Sequence, residues 1–277
     1  VLHIKGLRKD GYHELEMIMQ SISLADRIKL KKNSGGIIIK NSDYDLPSGQ
    51  NNLAYQSAEL FFEKNNIDQG VEIYIQKNIP IASGMAGGSS DAAAVMRGLY
   101  NLYNIEPDFE QMREYLTEIG SDVPYCLEGG TVYAAGRGEK IEFLPFIGEK
   151  YLVIVTPKIC VSTPEVFSIY DKMKNSFHNK SNDYNIEKII NNIKSEQQMD
   201  WNLDFKNDLA APARTLCSEI KEIEDIIKNT GPQLYLMSGS GPTVFAVYES
   251  RKKAERVAVN WPRKNDFVIT AKTIDRY

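Results

Sequence analysis

A run of small residues in the first third of the chain constrains its fold most. Residues 81–94 read IASGMAGGSSDAAA; an alternating strand pattern precedes them at 71–76, and a helical pattern follows them to residue 104. Glycine allows a backbone with positive φ, and the unpaired N–H groups at a helix N-terminus attract anions. The sequence therefore predicts a strand–loop–helix unit that holds phosphate.

The individual loop residues carry this prediction. Gly84, Gly87 and Gly88 permit positive φ and close approach of a ligand, whereas Ala86 indicates a position that does not need positive φ. The two serines that follow, at 89 and 90, supply hydroxyl groups that can cap the helix or contact phosphate or metal. The alternative is a packing loop whose glycines only relieve crowding. The density of glycine and serine between a strand and an Ala-rich helix favours phosphate.

Three common phosphate loops do not fit this stretch. A Walker A loop needs a lysine directly after its glycines, and none follows here. The spacing of Gly84, Gly87 and Gly88 does not match the dinucleotide fingerprint G-x-G-x-x-G. The chain also contains neither the H-R-D nor the D-F-G motif of protein kinases. A different class of phosphate-binding protein is indicated.

The composition of the chain excludes several classes of binding partner. A net charge of -4 argues against a general nucleic-acid binder, which would present a basic face. Three widely spaced cysteines form neither a zinc motif nor a disulfide framework. No apolar run is long enough to span a bilayer, and no signal peptide is recognisable. We expect a soluble cytoplasmic protein with a small-molecule partner, which binds neither nucleic acid nor membrane.

The order of elements predicts the fold class. The 277 residues allow one large domain or two ordinary ones, and strand and helix patterns mix without strict β-α-β alternation. This predicts an α+β fold in two lobes, with an N-terminal domain at 1–148 and a C-terminal domain at 149–277. Residues 209–229 read as a helical segment, and the polar interval 175–185 as a floppy insertion.

Four motifs, in order along the chain, give a resemblance to a known family. They are GLRKDGYHEL at 6–15, PIASGMAGGSSDAAA at 80–94, GSDVPYCLEGGTVYAAGRGE at 120–139 and MSGSGPTVFAVY at 237–248. The glycine stretch resembles the second motif of the GHMP small-molecule kinases. With DGYH and GSDVP, the set most resembles their 4-diphosphocytidyl-2-C-methyl-D-erythritol kinase family.

This resemblance implies a two-lobed GHMP kinase fold with the active site in the cleft between the lobes. The activity implied is transfer of the γ-phosphoryl group of ATP to a hydroxyl of a cytidine-diphosphate-linked polyol, giving the 2-phosphate, in the non-mevalonate isoprenoid pathway. Mg²⁺ is expected, with ligands that the sequence does not assign. The residues implied to wrap the ATP phosphates are Pro80, Ile81, Ala82, Ser83, Gly84, Met85, Ala86, Gly87, Gly88, Ser89 and Ser90.

The resemblance makes Asp122, in GSDVP, the catalytic base. A carboxylate within reach of a hydroxyl can orient it and accept its proton during phosphoryl transfer. The alternative for Asp122 is a turn or helix-terminal aspartate ahead of Pro124. Asp91 is the competing carboxylate, but its place in the first turn of the helix explains it through the helix dipole.

The acceptor pocket is implied by two further motifs. Tyr12 and His13 resemble the family's cytosine contacts, by ring stacking and by hydrogen bonding. Thr163 resembles a polar contact and Phe167 the opposite stacking face, although a core aromatic and a backbone-satisfied turn histidine are alternatives for Phe167 and His13. Asn52 is either near the adenine or simply a helix N-cap.

A third glycine motif completes the implied site. The residues Gly239, Ser240 and Gly241 resemble a family turn that packs against the phosphate loop and closes the cleft; the alternative is a tight hairpin.

One expected family feature is not in the chain. The family pairs the aspartate with a lysine in an A-K-[IL]-N stretch, expected just before Val1, and truncation accounts for its absence most simply. Lys5, later on the same strand, is expected to be a surface residue. The rival interpretations are another GHMP kinase, of homoserine or mevalonate type, and a nucleotide-binding protein without catalysis, which only the missing lysine favours.

Overall fold

The computed structural model describes residues 1–41, 46–47, 49–176, 184–195 and 197–277. In chain order the elements are β1 (Leu2–Leu7), β2 (His13–Gln20), β3 (Arg27–Asn33), β4 (Ile37–Asn41), α1 (Leu53–Lys64), β5 (Gly70–Gln76), α2 (Gly87–Tyr103), α3 (Phe109–Ile119), α4 (Val123–Glu128), β6 (Thr131–Gly136), β7 (Lys140–Leu144), β8 (Tyr151–Thr156), α5 (Thr163–Ser176), α6 (Glu187–Lys194), α7 (Ala210–Leu216), α8 (Glu219–Lys228), β9 (Leu234–Met237), β10 (Val244–Tyr248), α9 (Arg251–Val259) and β11 (Phe267–Lys272). This mixture of helices and largely antiparallel sheets confirms the predicted α+β class.

The chain packs into two compact units. The first contains Val1–Ser23, Ala82–Met85 and Gly130–Tyr277, and the second contains Leu24–Ile81 and Ala86–Gly129. The units are therefore built from interleaved segments, and the linear boundary at 148/149 stays a prediction. In the part of the chain that the structure describes, no helix has both the length and the apolar character needed to cross a membrane.

The second unit contains a three-stranded sheet, packed against helices. Its central strand β5 runs antiparallel to β3 and parallel to β4. Val71, Ile73 and Ile75 alternate along β5 and are completely buried, in one core with side chains of α1 and α2 such as Phe61 and Leu99. Since burying such a side chain contributes roughly 1.5–3 kcal/mol, this shared face holds the start of α2 firmly against the sheet.

The first unit contains two antiparallel four-stranded sheets. Their strand orders are β1-β2-β6-β7 and β11-β8-β10-β9. A bulge between Ile4 and Gly6 shifts the register of β1. The β1–β2 connection places the DGYH motif at one end of the first sheet, and the β9–β10 turn carries the third glycine motif.

The predicted helical segment at 209–229 is two helices rather than one. α7 and α8 are separated at Cys217, whose backbone is extended with φ -140° and ψ 97°. The break buries Cys217 and turns Ile220, Ile223 and Ile227 of α8 into the core. A bidentate ion pair between Arg214 and Glu224, with N–O distances of 2.8 and 2.7 Å, joins the two helices. Most of the predicted floppy insertion at 175–185 lies outside the described residues.

Candidate active site

The glycine loop between β5 and α2 contributes to both units. Pro80 and Ile81 belong to the second unit, residues 82–85 to the first, and the helix start at 86–90 to the second. The N–H groups in the first turn of α2 have no partner within the helix, apart from Ser90, whose N–H donates to the Ala86 carbonyl at 2.8 Å. The Ala86 side chain offers no cap. Such an open helix start is suited to an anion.

The backbone of the loop corrects part of the sequence prediction. Positive φ occurs at Ala82 (51°), Gly84 (72°) and Ala86 (52°), so the expectation that Ala86 does not need positive φ is wrong. Ala86 is the last residue before α2, where the chain must reverse into the helix. Gly87 and Gly88 already lie in α2 and have no positive φ.

Close packing, and not its backbone angles, accounts for glycine at position 87. A Cβ on this residue would lie 3.0 Å from Cγ2 of Ile79 and 3.3 Å from Nζ of Lys77. The helix start therefore packs so tightly on the residues after β5 that a side chain at 87 would require these neighbours to shift. Ser90 does not cap the helix, because its hydroxyl donates to the Gly87 carbonyl at 2.8 Å.

The strained conformation of Ala86 gives a stability prediction. An L-residue in the left-handed region costs about 1–2 kcal/mol, which glycine avoids while losing roughly 0.5–1 kcal/mol of chain entropy. We expect Ala86→Gly to raise the free energy of unfolding by about 0.5 kcal/mol, measured by urea unfolding. Ala94→Gly, on the exposed face of the same helix, is the control and should lose about 1 kcal/mol. Similar losses in both variants would contradict the strain at Ala86.

A buried ion cluster lies beneath the helix start. Lys77 contacts the Asp26 carboxylate, and its Nζ is 2.9 Å from Oδ2 of Asp91; the three side chains are only 7, 3 and 7% exposed. Burial raises the pKa of Asp91 to about 7, and the charge of Asp26 adds to this while Lys77 opposes it. Because α2 begins at Gly87, Asp91 lies in its second turn, and the prediction of a first-turn aspartate explained by the helix dipole is wrong. Asp91 is instead an ion-pair partner within the second unit.

Asp122 lies in the second unit at the start of α4. It occupies the N-cap position, but its carboxylate makes no capping hydrogen bond, and none to another side chain within the described residues is seen. Burial raises its pKa. Capping therefore does not explain this aspartate, and a partly buried carboxylate with a raised pKa is typical of a catalytic group.

The thiol of Cys126 links the two carboxylates of the second unit. Burial raises the pKa of Cys126, and the negative charges of Asp122 and Asp91 raise it further. Both carboxylates therefore act electrostatically on one partly buried thiol of α4. Asp122 and Asp91, the two carboxylates singled out in the sequence, thus both lie in the unit that holds the open start of α2.

The third glycine motif contacts the loop within the first unit. The Ser238 hydroxyl donates to the Gly84 carbonyl at 2.9 Å, and a Cβ on Gly84 would lie only 2.5 Å from the Ser238 carbonyl oxygen. Gly239 and Gly241 have φ of 54° and 90°, and a Cβ on Gly239 would meet the Gly84 oxygen at 2.8 Å. Backbone contact therefore requires glycine at 84 and 239, and the positive φ favours glycine at 241.

The middle residue of this motif reaches the first turn of α5. Oγ of Ser240 is 2.6 Å from Oγ1 of Thr163, so these two predicted site residues share a hydrogen bond. Loop and turn are also joined through Ser83, a buried residue whose carbonyl accepts from the Thr243 N–H at 3.4 Å.

His13 is held by residues of α5. Its ring stacks on Phe167 with centroids 4.8 Å apart and an angle of 26°, and its Nε2 is 2.8 Å from Oδ1 of Asp171. A carboxylate accepts only, so Nε2 carries the proton, and Nδ1 of the neutral ring is an acceptor. The ring of Tyr170 lies edge-on at 6.0 Å. This orientation excludes the alternative of a turn histidine satisfied only by backbone.

Tyr12 has a different environment from His13. It is 56% exposed, and the guanidinium carbon of Arg137 lies 4.8 Å from its ring centroid. Gly11, with φ 84°, and a hydrogen bond from the Arg8 N–H to the Tyr12 carbonyl close the turn that presents this ring.

The remaining predicted residues have clear local roles. Asn52 caps α1, since its side-chain oxygen accepts from the Ala54 N–H at 2.9 Å, and its nearness to adenine stays a prediction. Lys5 is exposed as expected, with its Nζ 3.2 Å from Glu16.

Sequence reasoning missed Asp171, Lys77 and Asp26. Asp171 follows Phe167 by four residues, a spacing that places both on one helical face and could have pointed to it. Lys77 ends the strand just before the loop, but nothing in the sequence signals that Asp26 reaches it. Among the described residues, no group of three or more His, Cys, Asp and Glu side chains could hold a metal ion.

Comparisons with known proteins agree with this arrangement. The GHMP kinases N terminal domain matches residues 52–130, and the GHMP kinases C terminal domain matches residues 186–266. The 4-diphosphocytidyl-2-C-methyl-D-erythritol kinase of Clostridium beijerinckii is 37% identical over 273 residues, which cover 99% of this chain and 96% of that protein. The corresponding enzyme of Bacillus pumilus is 38% identical, covering 92% of this chain and 87% of that protein.

Solved structures show the same fold. A crystal structure of 4-(cytidine 5'-diphospho)-2C-methyl-D-erythritol kinase matches with a TM-score of 0.77 and 32% identity, covering 98% of this chain and 94% of that one. With near-complete coverage at this level of identity, the chain belongs to the 4-diphosphocytidyl-2-C-methyl-D-erythritol kinase family of the GHMP kinases.

Proposed function

We propose that this protein transfers the γ-phosphoryl group of ATP to the 2-hydroxyl of 4-diphosphocytidyl-2-C-methyl-D-erythritol, giving the 2-phosphate, as a cytoplasmic enzyme of the non-mevalonate isoprenoid pathway. Family membership supports the kinase activity and this acceptor. The observation that carries the mechanism is Asp122, a partly buried carboxylate with a raised pKa and no capping role.

The donor is held by backbone. Two features of residues 80–90 suit the phosphates of ATP: positive φ at Gly84 and the open N-terminus of α2. N–H groups that converge on an anion lose little by binding it, because they are already desolvated and oriented. In this proposal the loop supplies positioning and charge stabilisation without contributing a reacting side chain.

Asp122 acts as the base toward the acceptor hydroxyl. The raised pKa means that the ionised carboxylate is a stronger proton acceptor than an ordinary aspartate. As the hydroxyl oxygen bonds to the γ-phosphorus and the bond to the ADP oxygen breaks, the hydroxyl proton passes to the Asp122 carboxylate.

The cytosine ring is recognised by the cluster around His13. Asp171 fixes the proton on Nε2, so Nδ1 of His13 accepts a hydrogen bond from the exocyclic amino group of cytosine. Tyr12 supplies an exposed ring for stacking, Phe167 supports the imidazole from its other side, and Thr163 with Ser240 supplies a hydroxyl pair.

Mg²⁺ accompanies the nucleotide in this proposal. A magnesium ion in a kinase site is bound by substrate phosphates and one or two carboxylates, and neutralises the charge that develops on transfer. Because no three-carboxylate group occurs in the described residues, the phosphates would supply most of the ligands.

Acceptor specificity tests the proposal. The full-length protein should turn over 4-diphosphocytidyl-2-C-methyl-D-erythritol with ATP and leave homoserine and mevalonate unphosphorylated, measured by ADP release in parallel assays. Homoserine kinase from Cytophaga hutchinsonii shares the fold at 17% identity and a TM-score of 0.67, which makes homoserine an informative control. Turnover of homoserine with none of the cytidylyl substrate would overturn the proposal.

A further inference from the structure

The Asp26–Lys77–Asp91 cluster connects the two ends of the glycine loop that belong to the second unit. Lys77 follows β5 directly, and Asp26 precedes β3 directly; because Arg27 pairs with Gln76, the two side chains start from neighbouring positions. All three side chains are almost completely buried. The cluster is therefore built into the core next to the loop.

Asp26 fixes the chain on its way into the loop. Its Oδ1 accepts from the N–H groups of Asn78 and Ile79 at 2.6 and 2.9 Å, while its Oδ2 faces Lys77. The side chain of Asn78 donates in turn to the Ala25 carbonyl at 2.7 Å. Four hydrogen bonds thus bind residues 77–79 to the two residues that precede β3.

Lys77 fixes the chain on its way out of the loop. Its Nζ is 2.9 Å from Asp91 and passes directly under Gly87, where a Cβ would be 3.3 Å away. Gly87 and Asp91 are four residues apart and so lie on one face of α2. The ammonium therefore pairs with one turn of α2 and lies close to the turn before it.

A role in stability alone would not require these groups. Buried ion pairs gain little net stability over well-packed apolar side chains, because both charges must be desolvated. What an ion pair with several hydrogen bonds adds is a defined geometry. Here that geometry relates the strand end at 77–79 to the helix start at 87–91, the two segments that flank the loop.

We propose that Asp26, Lys77 and Asp91 are positioning residues for the phosphate donor, which set the distance between the end of β5 and the start of α2. In that arrangement the N–H groups of the first turn of α2 face the phosphates. The cluster touches no substrate in this account and acts through the backbone of the loop. The inference rests on the proposed function only in taking ATP as the ligand of this loop.

A matched pair of substitutions at Asp91 tests the inference. Asp91→Ala removes the bridge to Lys77, while Asp91→Asn keeps an oxygen that can accept from Lys77. We expect Asp91→Ala to weaken binding of a non-hydrolysable ATP analogue with Mg²⁺ at least about tenfold and to raise KM for ATP similarly, with KM for the cytidylyl acceptor changed less than about threefold. Asp91→Asn should stay within about threefold of the wild type in analogue binding.

Control variants separate this effect from a general loss of structure. Asp68→Ala removes an exposed carboxylate of the same unit and should leave analogue binding unchanged. Lys77→Met removes both bridges at nearly constant side-chain length and should repeat the Asp91→Ala result, whereas Lys29→Met, at an exposed position on β3, should not. If Asp91→Ala does not fold, the Lys77 pair decides the question.

The results that would overturn this inference differ from those that would overturn the proposed acceptor. Analogue affinity within twofold of the wild type in folded Asp91→Ala or Lys77→Met would overturn the inference, and so would equal rises in KM for ATP and for the acceptor. A loss of analogue affinity in Asp91→Asn as large as that in Asp91→Ala would also overturn it. The analogue-binding measurements require no acceptor, so a wild-type protein that binds ATP but ignores the cytidylyl substrate would contradict the proposed acceptor alone.

Discussion

Asp122→Asn should lower kcat by about 10²–10⁴-fold, the range expected when a general base is lost. The asparagine has nearly the same shape but accepts no proton at its amide, so the acceptor hydroxyl reacts without help. ATP affinity should stay within about threefold, because the group acts mainly in the transition state. Steady-state kinetics with the cytidylyl acceptor, together with equilibrium binding of an ATP analogue, measure both quantities.

The pH dependence of the wild type gives a second observation on the same residue. Asp122 must be ionised to accept a proton, and burial raises its pKa above the ordinary aspartate value of 3.8. As pH falls through this raised pKa, kcat/KM should decrease, and the decrease should begin at a higher pH than an ordinary aspartate would produce. The same acid limb should be missing from the residual activity of Asp122→Asn and present in Asp91→Asn.

Measuring the free energy of unfolding distinguishes a catalytic role of Asp122 from a role in folding. An ionised carboxylate whose pKa is raised by burial costs folding free energy above that pKa, and this cost disappears as pH falls. Asp122→Asn should therefore be at least as stable as the wild type at neutral pH by urea unfolding. Asp108→Ala is the contrast: its carboxylate caps α3 through the N–H groups of Glu110 and Gln111, so it should lose about 1 kcal/mol with kcat unchanged. Near-normal kcat in Asp122→Asn would remove Asp122 from the mechanism.

His13→Ala should raise KM for the cytidylyl acceptor by roughly 10–70-fold and leave KM for ATP within about threefold. The loss combines one hydrogen bond, about 1 kcal/mol or somewhat more, with a ring contact of about 0.5–1.5 kcal/mol. Asp171 is 45% exposed and becomes solvated when the imidazole is removed, so the fold should survive. Initial-rate kinetics with each substrate varied in turn measure the two KM values.

A variant of Asp171 refines the interpretation of His13. Asp171→Asn keeps a polar side chain next to Nε2 but no longer fixes the proton there, since the amide can donate as well as accept. We expect an intermediate rise in KM for the acceptor, with ATP again unaffected. Equal rises in both KM values for His13→Ala would count against a cytosine contact at this residue.

Local sequence was enough to predict the loop, because its signal is local. Glycine and serine density between a strand and a helix predicted the open helix start that the structure has at Gly87. The conformation of each loop residue was not predictable in this way. Ala86 takes positive φ although alanine disfavours it, because the surrounding structure fixes the direction in which α2 begins. Gly87 is a glycine for its neighbours Ile79 and Lys77, not for its own backbone angles.

The features that could not be predicted from the sequence are mostly contacts between residues far apart in the chain. Asp171 is 158 residues from His13, and Asp26 is 51 residues from Lys77, so no local pattern connects either pair. The motif pointed to Asp122 as a site residue, but only the geometry at the start of α4 shows that its side chain makes no capping hydrogen bond. The break at Cys217 was hidden because the residues on both sides of it have helical patterns. Motifs predicted which residues matter, and tertiary packing determines what orients them.

The destination of the γ-phosphoryl group tests the central claim most directly. Full-length protein, ATP with Mg²⁺ and 4-diphosphocytidyl-2-C-methyl-D-erythritol would be followed by ³¹P nuclear magnetic resonance. The predicted result is a new phosphomonoester signal on the 2-hydroxyl of the acceptor, formed one for one with ADP in the wild type and nearly lost in Asp122→Asn. Release of inorganic phosphate from ATP without phosphorylation of the acceptor, or no consumption of ATP at all, would contradict the claim.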